Sequence, residues 1–233
     1  MSRKYHRSVF AFLDLLGVKE NIEKDNGEFL EKLGTIYDST LRIYKSVCDR
    51  NLRDNIRTKI FSDNIVFECE IVDSDGFDEF KQIAFISAIL QEELLRNNLL
   101  LRGAITIGDS FLDDVLVFGK ALSDAYLLES NRALYPRVIL SQELVEIVLP
   151  KISSTSPIAY MCVVDRDGEH YIDYLNSAGR SNANRIHQIR LALTYTQIEL
   201  EKAEYNPKVK QKLIWHHDYL NNRLHQFEQC IAK

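Results

Sequence analysis

The 233-residue sequence lacks the features that mark disordered, disulfide-rich or membrane-spanning proteins. Hydrophobic residues make up 45% and charged residues 27%, with only 9 Gly and 4 Pro, which excludes a low-complexity chain. The four cysteines form no C-x-x-C pair, so a disulfide framework or zinc site is not expected; they are Cys48, Cys69, Cys162 and Cys230. No apolar run approaches the roughly 20 residues that cross a bilayer, and the run 9–13 is too short for a signal peptide. We therefore expect a soluble, cytoplasmic protein.

The charge balance is mildly acidic. Lys and Arg total 29 against 34 Asp and Glu, a formal net charge of -5. A long basic surface for duplex nucleic acid is therefore not expected, although a local positive pocket for phosphates is compatible with this balance. We predict no nucleic-acid partner and no membrane partner.

Hydrophobic periodicity predicts alternating strands and helices over residues 8–175. In chain order we predict strand 8–13, helix 29–47, strands 57–61 and 65–69, helix 77–97, strands 99–107 and 115–118, a helix after Gly119, strand 137–140, a short helix capped by Ser141, and strands 160–164 and 171–174. Such an order predicts an α/β (α+β) sandwich, with helices on one face of a mixed sheet.

The pattern changes after residue 175. Residues 176–184 are rich in Ser, Asn and Gly and are typical of a linker, and two helices separated at Asn206-Pro207 follow. We therefore assign residues 1–175 to one domain and 176–233 to a linker and helical hairpin. The second helix carries a near-heptad apolar seam from Val209 to Ile231, which fits packing on the domain or on a partner subunit.

Two acidic residues are candidates for chemistry. Asp14 ends the first apolar strand, where a carboxylate is costly unless it is paired or holds a metal, and Asp63 lies in the turn between two later strands. If those strands lie beside the first, the two carboxylates converge and suit Mg²⁺ or Mn²⁺, completed by substrate phosphates. Each residue alone fits a plain alternative equally well, with Asp63 a turn former and Asp14 a helix cap.

Four motifs in order resemble the class III adenylate and guanylate cyclase domain, over about residues 8–175. They are FLDLLG at 12–17, KIFSD at 59–63, LRGAITIG at 101–108 and GKALSDAYLLE at 119–129. They are similar to the family's first and second metal-ligand motifs, its R-x-G-I-x-x-G strand (here with Ala104 in place of the first glycine) and its G-x-x-V-N-x-A-x-R-L-E helix. The resemblance implies the class III cyclase fold with a C-terminal helical hairpin added.

The resemblance also implies site residues. Asp14, Asp63 and the Leu15 carbonyl would hold two divalent metals, Mn²⁺ or Mg²⁺, with both acids catalytic. The implied reaction is attack of a ribose 3′-hydroxyl on the α-phosphorus, with pyrophosphate leaving. The backbone N–H groups around Leu16 and Gly17 would bind phosphates. The substrate-binding positions implied are Phe12, Leu16, Gly17, Lys59, Arg102 and Ser123.

The sequence departs from the family pattern at three positions. Ser123 stands where the family has a ribose-orienting Asn, and Leu127 where it has a transition-state Arg. Leu116 replaces the acidic partner of the base-reading lysine, here Lys59. The basic residues that we consider as replacements for the missing Arg are Arg102, Lys120 and Arg132.

The motifs are most similar to the small pyrimidine cyclases of bacterial anti-phage (Pycsar) systems, through the 102–104 strand, the 121–129 helix, the YIDYL strand at 171–175 and the helical tail. This resemblance implies a second-messenger synthase that converts UTP, favoured over CTP, to a 3′,5′-cyclic monophosphate sensed by a separate effector. It also implies a homodimer. The alternatives are a purine cyclase and a catalytically dead nucleotide-binding module. The replacement of the family's Asn and Arg by Ser123 and Leu127 favours the catalytically dead module.

Other polar residues have plainer interpretations. The adjacent His216 and His217 diverge on a helix and are interpreted as a solvated face, and Trp215 as core or interface packing. The pair 113–114 is typical of an exposed loop. Asp165 and Asp167 are interpreted as turn formers.

Overall fold

The computed structural model describes residues 3–24, 26–47, 55–176 and 181–231. Within these ranges the strands are β1 His6–Leu16, β2 Ile56–Phe61, β3 Asn64–Glu70, β4 Leu100–Leu112, β5 Val117–Gly119, β6 Val138–Leu140, β7 Cys162–Val164 and β8 His170–Ile172. The helices are α1 Lys19–Glu23, α2 Glu28–Val47, α3 Phe77–Arg96, α4 Lys120–Arg132, α5 Gln142–Val148, α6 Pro157–Met161, α7 Asn182–Lys202 and α8 Pro207–Ile231.

The strands form one mixed sheet in the order β2-β3-β1-β4-β6-β8-β7, with β5 paired to the end of β4. The β4–β6 pair is parallel and the other pairs are antiparallel. The long strand β1 lies at the centre, where Ala11 pairs with Phe67 of β3 and Ile105 of β4. The predicted α/β architecture with a mixed sheet is confirmed.

Helices cover both faces of this sheet, so the prediction of helices on one face is wrong. Val9, Ala11 and Leu13 of β1 face the main core under α2 and α3. Phe10 and Phe12 point the other way, into a smaller apolar cluster under α4. Because β1 is buried on both faces, residues 9–13 are continuously apolar rather than alternating. Such a run does not indicate how the helices are distributed over the two faces of the sheet.

Several predicted boundaries shift. β1 continues three residues past the predicted end at Leu13, so Asp14 lies within a strand paired on both sides. The segment predicted as strand 160–164 begins as helix α6, because Pro157 occupies a first-turn position where its missing N–H costs nothing. The predicted cap at Ser141 is confirmed, since its side chain accepts the Leu144 N–H at 3.3 Å.

The two tail helices, divided as predicted, pair with each other and fold back onto their own domain. The Tyr174 hydroxyl lies 3.2 Å from His216 Nε2, and Asp173 forms a buried ion pair with Arg223. The predicted linker lies partly outside the described residues, at 177–180, and residues 182–184 belong to α7. No helix in the described ranges combines the length and apolarity that a bilayer span requires.

Three of the four cysteines carry free thiols, namely Cys69, Cys162 and Cys230. Cys48 lies outside the described residues.

Candidate active site

The turn between β2 and β3 is joined to the end of β1. Asp14 pairs with Asn64 at the start of β3, and the Leu15 N–H donates to the Asp63 carbonyl at 2.9 Å. Ser62 turns the chain with φ of 55°, in the left-handed region. The tip of the hairpin is thereby fixed against β1, and the two predicted acids lie at the same end of the sheet.

Burial and the positive charge of Arg102 have opposite effects on the pKa of Asp14. Its side chain is 17% exposed, and burial raises the pKa of its carboxyl. The Arg102 Nε–H, which donates to Asp14 Oδ2 at 3.0 Å, opposes that rise, whereas the negative charge of Asp63 adds to it. The two carboxylates are therefore close enough to interact, and a cation beside them would relieve the penalty.

Arg102 reaches Asp14 because β4 approaches β1 closely at the next residue. A Cβ on Gly103 would lie 2.5 Å from Leu13 Cδ2 and 2.6 Å from the Phe12 carbonyl oxygen, closer than van der Waals contact allows. Glycine at this position therefore sets the spacing of the two strands that carry the arginine and the acid.

A third acid, Glu129 of α4, completes the cluster beneath Arg102. Its side chain is 3% exposed, and Oε1 lies 2.6 Å from Arg102 Nε. The single Nε–H is directed at Asp14, and Glu129 Oε1 accepts no hydrogen bond from any described residue. Burial raises the pKa of this carboxyl. The sequence signal was available, since Glu129 follows Ala121 and Ala125 on the buried face of the helix.

The charge of Lys212, on the tail helix α8, acts on the two buried acids of this cluster. Its positive charge lowers the pKa values of Asp14 and Glu129, opposing their burial. Burial lowers the pKa of Lys212 itself, and repulsion by Arg102 adds to that effect. No local pattern marks this lysine, because its effect on the two acids depends on how the tail packs on the domain.

A groove of about 820 Å³ adjoins the acids on the α4 face of the sheet. It contains Phe12 and Ser123 of the predicted substrate-binding set, and Asn64 connects it to Asp63 through a 3.0 Å side-chain hydrogen bond. Its rim exposes large apolar side chains: Tyr5 57%, Phe61 43%, Phe118 63% and Tyr126 52%.

Lys59 is not among the residues that line this groove, but it lies on β2 two residues before Phe61, which does line it. Its ammonium donates to the backbone carbonyls of Asp113, at 3.3 Å, and Asp114. Those residues form an exposed turn, as predicted, and Leu116 within it is 40% exposed. Two of the three N–H donors of Lys59 are thus used, leaving one for a ligand.

The three candidate replacements for the missing arginine have partners. Arg102 contacts Asp14, Lys120 binds Asp124 within α4, and Arg132 contacts Glu169 at 2.7 Å. Leu127 itself is 51% exposed on α4. Each of the three candidates is thus already engaged with an acidic side chain.

The loop after β1 carries the remaining predicted phosphate-binding positions. Leu16 is the last residue of β1, and Gly17 follows with φ of 73°. The helix α1 after it has only five residues, so its dipole is small. Within the described residues, His, Cys, Asp and Glu form no cluster of three or more that could hold a metal alone.

Two interpretations made outside the site need correction. His216 is 1% exposed, between Tyr174 and Thr196, rather than on a solvated face. Asp165 and Asp167 do more than form a turn, because both carboxylates bind the fully buried guanidinium of Arg137. Trp215, predicted as packing, stacks on Tyr135 and Tyr219 and confirms that interpretation.

No family model and no curated protein sequence matches the chain. Its structure is similar to the guanylyl cyclase domain of the RhoGC fusion protein from the fungus Blastocladiella emersonii, with 13% identity over 73% of this chain and 96% of that chain and a TM-score of 0.50. It is also similar to the guanylyl cyclase Cya2, with 14% identity over 77% of this chain and 96% of that chain and a TM-score of 0.49. A third similar structure is an adenylate/guanylate cyclase/hydrolase from Silicibacter pomeroyi, with 13% identity over 73% of this chain and 96% of that chain and a TM-score of 0.47. The chain has the class III cyclase fold, as the sequence predicted.

Proposed function

We propose that this chain is a nucleotide cyclase that converts a nucleoside triphosphate to its 3′,5′-cyclic monophosphate and pyrophosphate. The observation that carries the proposal is the pair of carboxylates, Asp14 and Asp63, held at one end of a sheet with the cyclase fold. A backbone hydrogen bond from β1 to the hairpin turn holds the two carboxylates near each other despite their repulsion, and a bound cation would offset that repulsion.

The donor set fits Mg²⁺ or Mn²⁺. Such ions are held in proteins by one or two carboxylates, with substrate phosphates completing the coordination, so the lack of a larger acidic cluster is compatible with them. Asp14, Asp63 and the Leu15 carbonyl would be the ligands. When bound, two divalent ions would neutralise the triphosphate and lower the pKa of the ribose 3′-hydroxyl.

The protein residues would position the substrate for an in-line displacement. The backbone around Leu16 and Gly17 binds the phosphates, Arg102 contributes positive charge, and Phe12 and Ser123 contact the nucleoside in the groove. The 3′-oxygen attacks the α-phosphorus and the pyrophosphate oxygen leaves on the opposite side. Incubation with each of the four nucleoside triphosphates and Mn²⁺ tests this, with a cyclic product expected and intact triphosphate contradicting it.

We propose a pyrimidine substrate, with UTP favoured over CTP. Leu116 cannot pair with adenine's amino group, and Lys59 keeps one free donor, which suits the carbonyl groups at O2 and O4 of uracil. The resemblance to anti-phage cyclases supports a messenger role with a separate effector. In an equimolar mixture of ATP, GTP, CTP and UTP, cyclic UMP should dominate. Cyclic AMP or cyclic GMP would refute the pyrimidine assignment, and cyclic CMP only the choice of UTP.

We propose that the active unit is a two-fold homodimer formed through the apolar rim of the groove. Exposed aromatic side chains gathered on one face are unfavourable in a monomer. In a two-fold dimer the same patch of each subunit covers that of the other, so both are buried. A second copy would also bring another set of side chains to the groove, near the exposed Leu127 that stands where the resemblance implies an arginine. Sedimentation at assay concentration should give a dimer, and a fully active monomer would refute this.

A catalytically dead nucleotide-binding module is the second candidate. The observation that favours it is the solvent-exposed Ser123 and Leu127 at two positions where the resemblance implies polar catalytic groups. Such a module would bind a triphosphate and return it unchanged after long incubation with Mn²⁺. A purine cyclase differs from both by its product.

A further inference from the structure

An apolar cavity of about 530 Å³ lies on the α2 and α3 face of the sheet, opposite the groove. Helices α1, α2 and α3 and the tip of the β2–β3 hairpin bound it, and most of its lining side chains are Leu, Ile or Phe. The buried Leu90 and Leu94 lie at its inner end, whereas Ile22, Leu30 and Ile60 stand at its mouth, 41%, 70% and 46% exposed. Cavities of this size and composition are typical binding sites for small molecules.

A glycine on α2 leaves part of this space unfilled. Leu30, Leu33, Gly34, Tyr37 and Asp38 recur at three- and four-residue steps on one face of the helix, and all line the cavity. A Cβ on Gly34 would meet no atom outside its own stretch of helix within 4 Å, and its φ lies outside the left-handed region. Glycine is less favourable than alanine in a helix interior, so neither backbone conformation nor close packing explains this residue. Its effect is to leave room in the cavity wall.

The polar groups of the lining indicate which ligand fits. Among the described residues that line the cavity, Asp38 is the sole charged side chain, and Tyr37 and Ser62 are the other polar ones. An anion would lose hydration beside a carboxylate, with no cation in the lining to replace it. A neutral molecule can bury an apolar body against Leu and Ile and donate one hydrogen bond to Asp38 or to a hydroxyl oxygen.

The cavity adjoins the backbone that fixes the two acids. Leu15 and Ser62 line it, and each is next in sequence to an acid, Asp14 and Asp63 respectively. The Leu15 N–H donates to the Asp63 carbonyl at 2.9 Å, so the two lining segments are joined directly. A ligand that packs against Leu15 and Ser62 therefore acts on the separation of the two carboxylates from the opposite face of the sheet.

We propose that this cavity binds a small, neutral, mainly apolar molecule with one hydrogen-bond donor, and that its occupancy alters the affinity of Asp14 and Asp63 for a divalent cation. The cavity is separate from the groove, so its ligand is an effector and not the substrate. Occupancy of the cavity is independent of the proposed function, whereas the effect on the acids rests on it.

The test of the site uses two fluorescent probes with the same aromatic amine framework, the neutral N-phenyl-naphthylamine and the anionic anilinonaphthalene sulfonate. We expect the neutral probe to bind saturably, at least about tenfold more tightly than the sulfonate. Gly34→Leu, which fills the cavity wall, should weaken the neutral probe by about tenfold or more. Gly34→Ala, the matched control, adds only a Cβ and should bind within about twofold of wild type. Both variants improve helix propensity, so neither should melt earlier than wild type.

The charge of the lining is tested at Asp38, which is exposed and can be changed without loss of packing. Asp38→Asn should strengthen binding of the sulfonate several-fold and leave the neutral probe nearly unchanged, because an amide keeps an acceptor oxygen. No gain for the sulfonate would overturn the assignment of ligand charge, even if Gly34→Leu proved unstable. Equal affinity of Gly34→Leu and wild type for the neutral probe, or tighter wild-type binding of the sulfonate, would overturn the site.

The effect on the acids is tested by Mn²⁺ titration without and with saturating N-phenyl-naphthylamine. We expect the Mn²⁺ dissociation constant to change about fivefold or more in wild type and to stay constant in Gly34→Leu. A constant value in wild type would overturn the coupling. Wild type that binds the probe but neither Mn²⁺ nor a triphosphate would contradict the proposed function and the coupling together, while supporting the cavity as a binding site.

Discussion

The spacing of β1 and β4 is most directly perturbed at Gly103. An alanine Cβ there would meet Leu13 Cδ2 at 2.5 Å and the Phe12 carbonyl oxygen at 2.6 Å. The second contact involves backbone, so a side-chain rotation cannot relieve it and the two central strands must separate. Gly103 N also donates to the Arg137 carbonyl at 3.1 Å, so the displacement extends towards β6.

The cost follows from overpacking a closely packed sheet. Forcing an extra methyl group into such a site destabilises a protein by about 1–3 kcal/mol. For a chain of this size, each kcal/mol lowers the melting temperature by about 2–4 °C. Because Arg102 precedes Gly103, we also expect its hydrogen bond to Asp14 to weaken and Mn²⁺ affinity to change.

Gly108 on the same strand provides a matched control. A Cβ there would lie 3.6 Å from the Ala121 Cβ, an ordinary contact. Gly108→Ala should therefore be neutral or gain about 0.4–1 kcal/mol by restricting the unfolded chain. Thermal unfolding followed by circular dichroism compares the two variants with wild type. Equal melting temperatures for Gly103→Ala and Gly108→Ala would refute the close-approach argument.

Three further predictions concern buried charge. The raised pKa of Asp14 means that the folded protein binds its proton more tightly than the unfolded chain does, so stability falls as pH rises between the unfolded and folded pKa values. Asp14→Asn should remove this fall, and without metal it should have a higher melting temperature than wild type at pH 7. A lower melting temperature would contradict this. Arg137→Met should cost about 3–5 kcal/mol in urea unfolding because it leaves the carboxylates of Asp165 and Asp167 uncompensated, and a loss under 1 kcal/mol would disprove the pairing. Burial lowers the pKa of His216 to about 3, so the unfolded chain takes up this proton at a higher pH than the folded protein does, and stability falls as pH drops below about 6.5. In His216→Asn the free energy of unfolding should depend less on pH between 7 and 5. An unchanged pH dependence would argue against a buried neutral imidazole.

Local sequence patterns predicted the elements whose stability is mainly local. The three- and four-residue spacing of apolar residues located α2 and α3 to within a residue or two, and Asn206-Pro207 located the break between α7 and α8. Strand ends were less predictable, because β1 continues to Leu16 only through pairing with residues 100–102 of β4. Long-range pairing of that kind leaves no periodic signal.

The site residues likewise fall into those with a local sequence signal and those that only long-range packing brings together. Asp14 and Asp63 stood out because an acid at the end of an apolar strand and an acid in a turn are local features. Long-range partners could not be predicted: the charge of Lys212 acts on Asp14 and Glu129 from the tail helix, and Asp165 binds the buried Arg137, which directly precedes β6. The burial of His216 was missed for this reason, since a helix face that looks solvated in sequence packs against the domain.

The central claim is that Asp14 and Asp63 support cyclisation of a nucleoside triphosphate. The most direct measurement is the mass balance of UTP incubated with wild type, Asp14→Asn and Asp63→Asn in the presence of Mn²⁺, with products separated by chromatography. We expect wild type to release cyclic UMP and pyrophosphate in equal amounts, and each variant to lose this turnover while remaining folded. Undiminished turnover in either variant, or intact UTP with the wild-type protein, would contradict the account.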